Sequence, residues 1–171
     1  MKKYSGLLSP EVAWLLLRIF LGFLFLYSGM EKLGNFSGKV LTGILTSWIN
    51  GVGSVPPNPN LWYVGFLKGV VIPQAGLFAT LVSYGEILVG IALILGLFTS
   101  IVALIGAFLN ANYYFAAAQT SASTQIVNAL FIVVQLLFAL ACVGQYYGLD
   151  HYLLPILWGP RSNELKKTVS S

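Results

Sequence analysis

Four long apolar runs constrain this chain more than any other feature. Glu11 to Met30, Gln74 to Phe98, Ser100 to Ala118 and Ser123 to Tyr147 each come close to the about 20 residues a helix needs to cross a bilayer core. Backbone in hydrocarbon must satisfy its own hydrogen bonds, so runs of this length are helices. The chain is 57% hydrophobic and 8% charged over 171 residues. A soluble domain carries about 25% charged residues, so the outer surface here faces lipid. The second run meets the third at Phe98, Thr99 and Ser100, which forces an antiparallel hairpin, and a short Ala- and Ser-rich link joins the third to the fourth. The expected fold class is all-α, an integral membrane four-helix bundle forming one domain over residues 1–171.

The segment from Glu31 to Pro73 is too long for a plain connector. Val40, Leu41, Ile44, Leu45, Trp48 and Ile49 recur at helical spacing, with Lys39, Thr42, Thr46 and Asn50 on the other side. That pattern predicts an amphipathic helix at the interface, either a surface anchor or a cover over a ligand site. The prolines of "SVPPNPN" stop it, and "LWYVGFLKGVVIP" then re-enters as a short helix on the outer mouth of the bundle.

The net charge is +4, with a pI of about 9.2. Lys2, Lys3, Arg161, Lys166 and Lys167 flank the outer ends of the first and fourth spans, which an even span count puts on one side. The positive-inside rule then places both termini, including the tail 159–171, in the cytoplasm of a cell-membrane protein, against a weaker opposing signal from Lys32, Lys39 and Lys68 in the long extracytoplasmic loop. Basic residues so distributed are topology signals and not a nucleic-acid patch. The single cysteine, Cys142, excludes an intrachain disulfide and a multi-thiolate metal or iron–sulfur site. The single histidine, His151, excludes a haem held by two histidines of this chain. No haem, metal or iron–sulfur cluster is expected, so redox work would fall to a diffusible cofactor or a partner subunit.

Two charges lie inside the spans, Arg18 in the first and Glu86 in the second. Each costs about 2.5–3.5 kcal/mol at the bilayer centre unless it faces protein or water. Ala79, Ser83, Glu86 and Gly90 form one helical stripe. So do Arg18, Gly22 and Gly29 in the first span, and Ala103, Gly106, Asn110, Tyr113 and Ala117 in the third. Gln125, Asn128 and Gln135 line up in the fourth, with Cys142 continuing the row. Small and polar stripes converge where helices pack in lipid. Counted in from the cytoplasmic end, Arg18 and Glu86 come within reach of one another. Two readings of that interior stand side by side: an Arg18–Glu86 pair that fixes helix register, and a polar pocket open to the outside and lined by Glu86, Asn110, Asn112, Tyr113, Gln125 and Asn128. Asp150, in "GLDHYLLP", is expected to cap a turn or pair with a basic residue.

Several of these stretches together resemble the DoxX/DoxD family of four-helix membrane proteins: "LLRIFLGFLFLYSGMEKL", "GEILVGIALILGLFTSIVAL", "NANYYFAAAQTSAS" and "VGQYYGLDHYL". The set of Arg18, the Gly29–Lys32 turn, Gly85–Glu86 with Gly90 and Gly96, and Gly148–Leu149–Asp150 carries the resemblance, while Gln145 stands where the family often has arginine. The extended first loop looks more like the DoxD branch. That resemblance implies the membrane subunit of a thiosulfate:quinone oxidoreductase of thermoacidophilic archaea, which passes electrons from thiosulfate oxidation into the respiratory chain through a membrane quinone. It also implies a partner, either a second small subunit or a respiratory complex. On this reading Glu86 and Arg18 are the catalytic organisers. Asn110, Asn112, Tyr113, Gln125 and Asn128 contact quinone or oxyanion, and Lys32, Lys39 and Lys68 attract the anion. Two alternatives remain beside it: a non-catalytic accessory subunit of a terminal quinol oxidase, and a small membrane transporter.

Overall fold

A computed structural model describes residues 9–158, and the basic residues of both chain ends and the tail 159–171 lie outside them. Helix α1 is Pro10–Lys32 and opens with Pro10 in its first turn, where no intrahelical donor is needed. Helix α2, Gly38–Asn50, is capped by Ser37, whose hydroxyl accepts from the Val40 N–H. Helix α3, Leu61–Phe66, continues through a π turn at Leu67–Val71 and a 3₁₀ turn at Ile72–Gln74 into α4, Ala75–Leu95. Helices α5, Thr99–Ala116, and α6, Ala122–Leu140, form the second hairpin, and α7 is Asp150–Trp158. Among the described residues four helical runs are long and apolar enough to cross a membrane, so the expected all-α membrane bundle is the fold observed.

Two boundaries differ from the sequence reading. Pro73 does not divide a separate re-entrant helix from the second span. It lacks an N–H and its ring crowds the preceding turn, so the backbone widens and then tightens around it, and Leu61–Leu95 runs on as 35 helical residues. The fourth span ends at Leu140 and not near Tyr147, because Cys142 and Tyr147 both take left-handed backbone conformations (φ 48° and 55°). Cys142 is exposed there and does not continue the interior stripe.

The helices pack most closely as two antiparallel pairs, α1 with α4 and α5 with α6. Glycine sets the register of the first pair. A Cβ on Gly90 would lie 2.5 Å from the Leu26 nitrogen and 2.8 Å from the Gly22 carbonyl oxygen, so backbone meets backbone at this level. One core, built from Leu21, Phe25, Val89, Leu93, Ala103, Phe138 and Val143, fills the half of the bundle nearest the chain ends. A second core, with Leu41, Leu45 and Ile49 of α2 against Tyr63, Leu67, Val71, Ala75 and Ala79, fills the half beneath the long loop. The apolar face predicted for α2 therefore packs onto α4 and α5 and does not simply lie in lipid headgroups, although Val40 stays exposed. The lipid-facing surface is as apolar as the core, with Phe20, Phe23, Leu88, Phe108, Ile126 and Leu130 outward.

Candidate functional site

The register of α1 on α4 decides which charges meet. Gly29 packs against Ser83 and Ile87, so the last turn of α1 stands beside Glu86. From that turn Lys32 reaches back along its own helix. Its Nζ donates to Ser28 Oγ at 2.7 Å and to Glu86 Oε2 at 2.5 Å. From α5 the Tyr113 hydroxyl donates to the other carboxylate oxygen, Oε1, at 2.5 Å. Glu86 is 2% exposed and the Lys32 side chain 22%, so the pair links the bundle interior to its edge. The Lys32 ammonium also stands 5.9 Å from the centre of the Tyr113 ring, within cation–π range. Both carboxylate oxygens thus hold a charged or hydroxyl donor, which offsets the cost of burying the charge.

The expected Arg18–Glu86 pair does not form. Gly22 faces Gly90 and Ile94, so Arg18, one turn earlier, faces Gly96. Gly96 lies ten residues beyond Glu86, roughly 15 Å along the helix at about 1.5 Å per residue. Arg18 is 1% exposed, and its guanidinium donates to the carbonyls of Val143 at 3.1 Å, Tyr146 at 3.2 Å and Tyr147 at 3.4 Å. Gly96 has φ 67° and ends α4; a Cβ there would strike the guanidinium. Asp150 caps α5, accepting from the N–H groups of Phe98 at 2.6 Å and Thr99 at 2.8 Å. Arg18 and Asp150 therefore fasten the segment after α6 to the bundle, as part of the architecture.

Above Glu86 lies a cavity of about 360 Å³. Leu41, Ile44, Leu45 and Trp48 of α2 roof it, together with Tyr63, Phe66, Leu67 and Val71 of the α3 run. Phe78, Leu81 and Val82 of α4 and Phe108, Leu109 and Ala116 of α5 form its walls. Lys32, Asn112 and Tyr113 supply its polar atoms. Tyr63, which is buried, donates to Asn112 Oδ1 at 2.7 Å, while the Asn112 amide donates to its own helix at Phe108 O, 2.7 Å. Lys32 with Glu86 carries no net charge, so the polar end offers hydrogen bonds and little field for an ion. Apolar and aromatic walls with a few convergent polar groups are the ordinary make-up of a small-molecule site.

Of the residues expected to line a pocket, Asn112 and Tyr113 do so, with Glu86 directly behind Tyr113. Asn110, Gln125 and Asn128 do not border the cavity. Asn110 donates to Gly106 O at 3.1 Å and to Gln135 Oε1 at 3.3 Å, Asn128 to Thr124 O at 2.9 Å, and Gln125 to Ala117 O at 2.9 Å. Lys39 and Lys68 are exposed outside the cavity, and Lys32 is engaged with Glu86. A residue the sequence reading passed over is Asn58, in the proline-rich turn. Buried at 3% exposure, it donates to the carbonyls of Phe115 at 2.9 Å and Ala116 at 2.8 Å. Its Oδ1 accepts from the Asn60 N–H, and its own N–H donates to Trp48 O. Gln119 donates to the same Trp48 carbonyl at 2.7 Å, so the roof is pinned to the end of α5. Asn before proline is an ordinary turn signal, which hides this role in the sequence.

No curated protein and no solved structure matches the chain. The DoxX family matches it over residues 13–119, a stretch that contains Lys32, Glu86, Tyr113 and the whole cavity lining, and the chain belongs to the DoxX family of membrane proteins.

Proposed function

We propose that this DoxX-family membrane protein is the quinone-binding subunit of a thiosulfate:quinone oxidoreductase, with thiosulfate oxidised by a partner on the face that carries α2. The cavity is the observation that supports this reading. Its walls suit an isoprenoid-bearing ring, and Phe36, Trp48, Tyr63, Phe66, Phe78, Phe108 and Tyr113 present aromatic surface to it. Its charge-balanced polar end suits a neutral headgroup with a carbonyl acceptor, which Lys32 can serve by exchanging its long 3.4 Å bond to the Ser28 carbonyl while keeping Glu86 and Ser28 Oγ. A doubly charged thiosulfate would lose its hydration there against a lysine already paired, so the anion belongs outside the cavity. Two thiosulfate ions joined through a new S–S bond into tetrathionate release two electrons. The quinone takes those two electrons and two protons and leaves as quinol. The exposed Lys39 and Lys68 give the loop positive charge that favours approach of an anion.

The transporter alternative fits less well, since Leu21, Phe25, Val89, Leu93, Ala103 and Phe138 pack the interior between Glu86 and the chain ends. The deciding experiment is thiosulfate-dependent reduction of a quinone analogue by the chain with its co-purifying partners. Reduction that is lost in Glu86→Gln supports the oxidoreductase. Quinone binding with no thiosulfate-linked reduction assigns the accessory role beside a quinol oxidase, and no binding at all rejects the reading.

A further inference from the structure

Lys32 borders two spaces and not one. On the inner side it lines the apolar cavity. On the other it lines a separate recess of about 250 Å³, formed with Ser28, Glu31, Asn35, Phe36 and Val40, which is open and far more polar than the cavity. Lys32 and Phe36 are the residues common to both linings and form the partition between them. The Lys32 Nζ donates on the recess side to Ser28 Oγ at 2.7 Å and inward to Glu86 Oε2 at 2.5 Å. At the mouth of the recess, Tyr27 donates to Glu31 Oε1 at 2.8 Å, which holds that exposed carboxylate beside the opening. Glu86 is only 2% exposed, too little for ready proton exchange with water, and its two side-chain partners are Lys32 and Tyr113.

We propose that the recess is a proton port, and that Lys32 passes protons between water on the α2 face and the Glu86–Tyr113 end of the cavity. The distances are those of direct proton transfer between hydrogen-bonded groups. The path runs from water in the recess to Ser28 and Lys32, and from Lys32 to a carbonyl oxygen in the cavity. The remaining proton follows the Glu86–Tyr113 branch. The groups facing Lys32 are Ser28 and Glu31 from its own helix, Glu86 from α4 and Tyr113 from α5. The inference rests on the quinone reading for its purpose: reduction of the headgroup consumes two protons along with the two electrons delivered by the thiosulfate-oxidising partner, and the port takes both from the α2 face. The geometry of the port does not depend on that reading.

The test uses the full chain in lipid nanodiscs, with Ser28→Cys in a Cys142→Ala background. A bulky, charged thiol reagent is added after folding, and hydrogen–deuterium exchange at Lys32 and Tyr113 is followed by isotope-edited infrared spectroscopy. The expected result is ready modification of Ser28→Cys, followed by at least about tenfold slower exchange at both groups, the low end of what a positioned proton-transfer group contributes being about 100-fold. Failure of the reagent to reach Ser28→Cys overturns the port, and so does exchange that stays as fast once the recess is blocked. The unsubstituted protein, labelled separately at its exposed Cys142 on the opposite end of the bundle, reports the sidedness of the same reagent in sealed vesicles, and reaction of Cys142 there from the same face as Ser28→Cys would also overturn the proposal. A quinone analogue that does not bind, with blocked exchange intact, rejects the quinone reading and leaves the port established.

Discussion

Replacing Lys32 by methionine isolates the interaction on which the site is built. It strands a carboxylate that is 2% exposed, leaving the Tyr113 hydroxyl as its side-chain partner. Removing one member of a buried ion pair costs about 3–5 kcal/mol, whereas an exposed pair contributes only about 0–1 kcal/mol. Lys32 retains 22% of its side-chain exposure, which puts the loss at the low end of the buried case, about 3 kcal/mol. At roughly 2–4 °C per kcal/mol for a chain of this size, the unfolding midpoint falls by roughly 6–12 °C. Glu86→Gln leaves the lysine at the bundle edge, where water reaches it, and costs less. In the double variant both charges are gone and the Tyr113 hydroxyl donates to the Gln amide oxygen instead. The double variant is therefore more stable than the sum of the singles predicts, by about 2 kcal/mol, within the range measured for contacting residues. Thermal unfolding of the four proteins at fixed detergent and lipid composition measures this coupling. Additive losses would refute the Lys32–Glu86 pairing, and coupling of Glu86→Gln to Arg18→Met in place of Lys32→Met would restore the partner expected from the sequence.

Arg18→Met withdraws the donors that hold the carbonyls of Val143, Tyr146 and Tyr147. Each hydrogen bond to a charged group contributes about 1.5–3 kcal/mol, so amide exchange over 143–150 rises at least about tenfold while α2 and α3 keep their protection. Asn58→Ala frees the roof from Phe115 O and Ala116 O. It costs about 1–3 kcal/mol and lowers quinone-analogue affinity several-fold without dismantling the four spans, as titration and circular dichroism would show. Gly90→Ala places a Cβ 2.5 Å from the Leu26 nitrogen, so α1 and α4 must separate. The loss is about 1–3 kcal/mol or more. Gly85→Ala, whose Cβ meets only Leu109 Cδ1 at 3.9 Å, is the matched control and is neutral or stabilising by up to about 1 kcal/mol, both read as shifts in unfolding midpoint.

The spans were legible because lipid demands long apolar helices, and the stripe of Ala79, Ser83, Glu86 and Gly90 was legible because small residues mark close packing. All four are buried in the structure. The partner of Glu86 was not legible. Depth counted from chain ends brought Arg18 near it, but register follows from Gly22 and Gly29 meeting α4, which no single-chain count supplies. Lys32 read as a loop cation because its Cα lies at the end of the span; its long stem turns inward to Glu86. Asn110, Asn112 and Asn128 formed a persuasive polar set, yet each amide donates to the carbonyl four residues back in its own helix. Spacing alone does not separate an amide that serves its own helix from one aimed at a ligand. The amphipathic pattern of α2 was plain; what it covers depended on the path of Leu61–Gln74, which Pro73 disguised as a loop end.

The central claim is that the cavity beneath α2 and α3 holds a quinone headgroup. Photolabelling of the purified chain with a photoreactive quinone analogue tests it most directly, with the modified residues mapped by mass spectrometry. The account predicts saturable labelling on α2, α3 and the cavity face of α5, around Trp48, Tyr63 and Tyr113, that is competed by unlabelled quinone and weakened by Asn58→Ala. Labelling confined to lipid-facing residues of α6, such as Ile126 and Leu130, and indifferent to competitor, would contradict it.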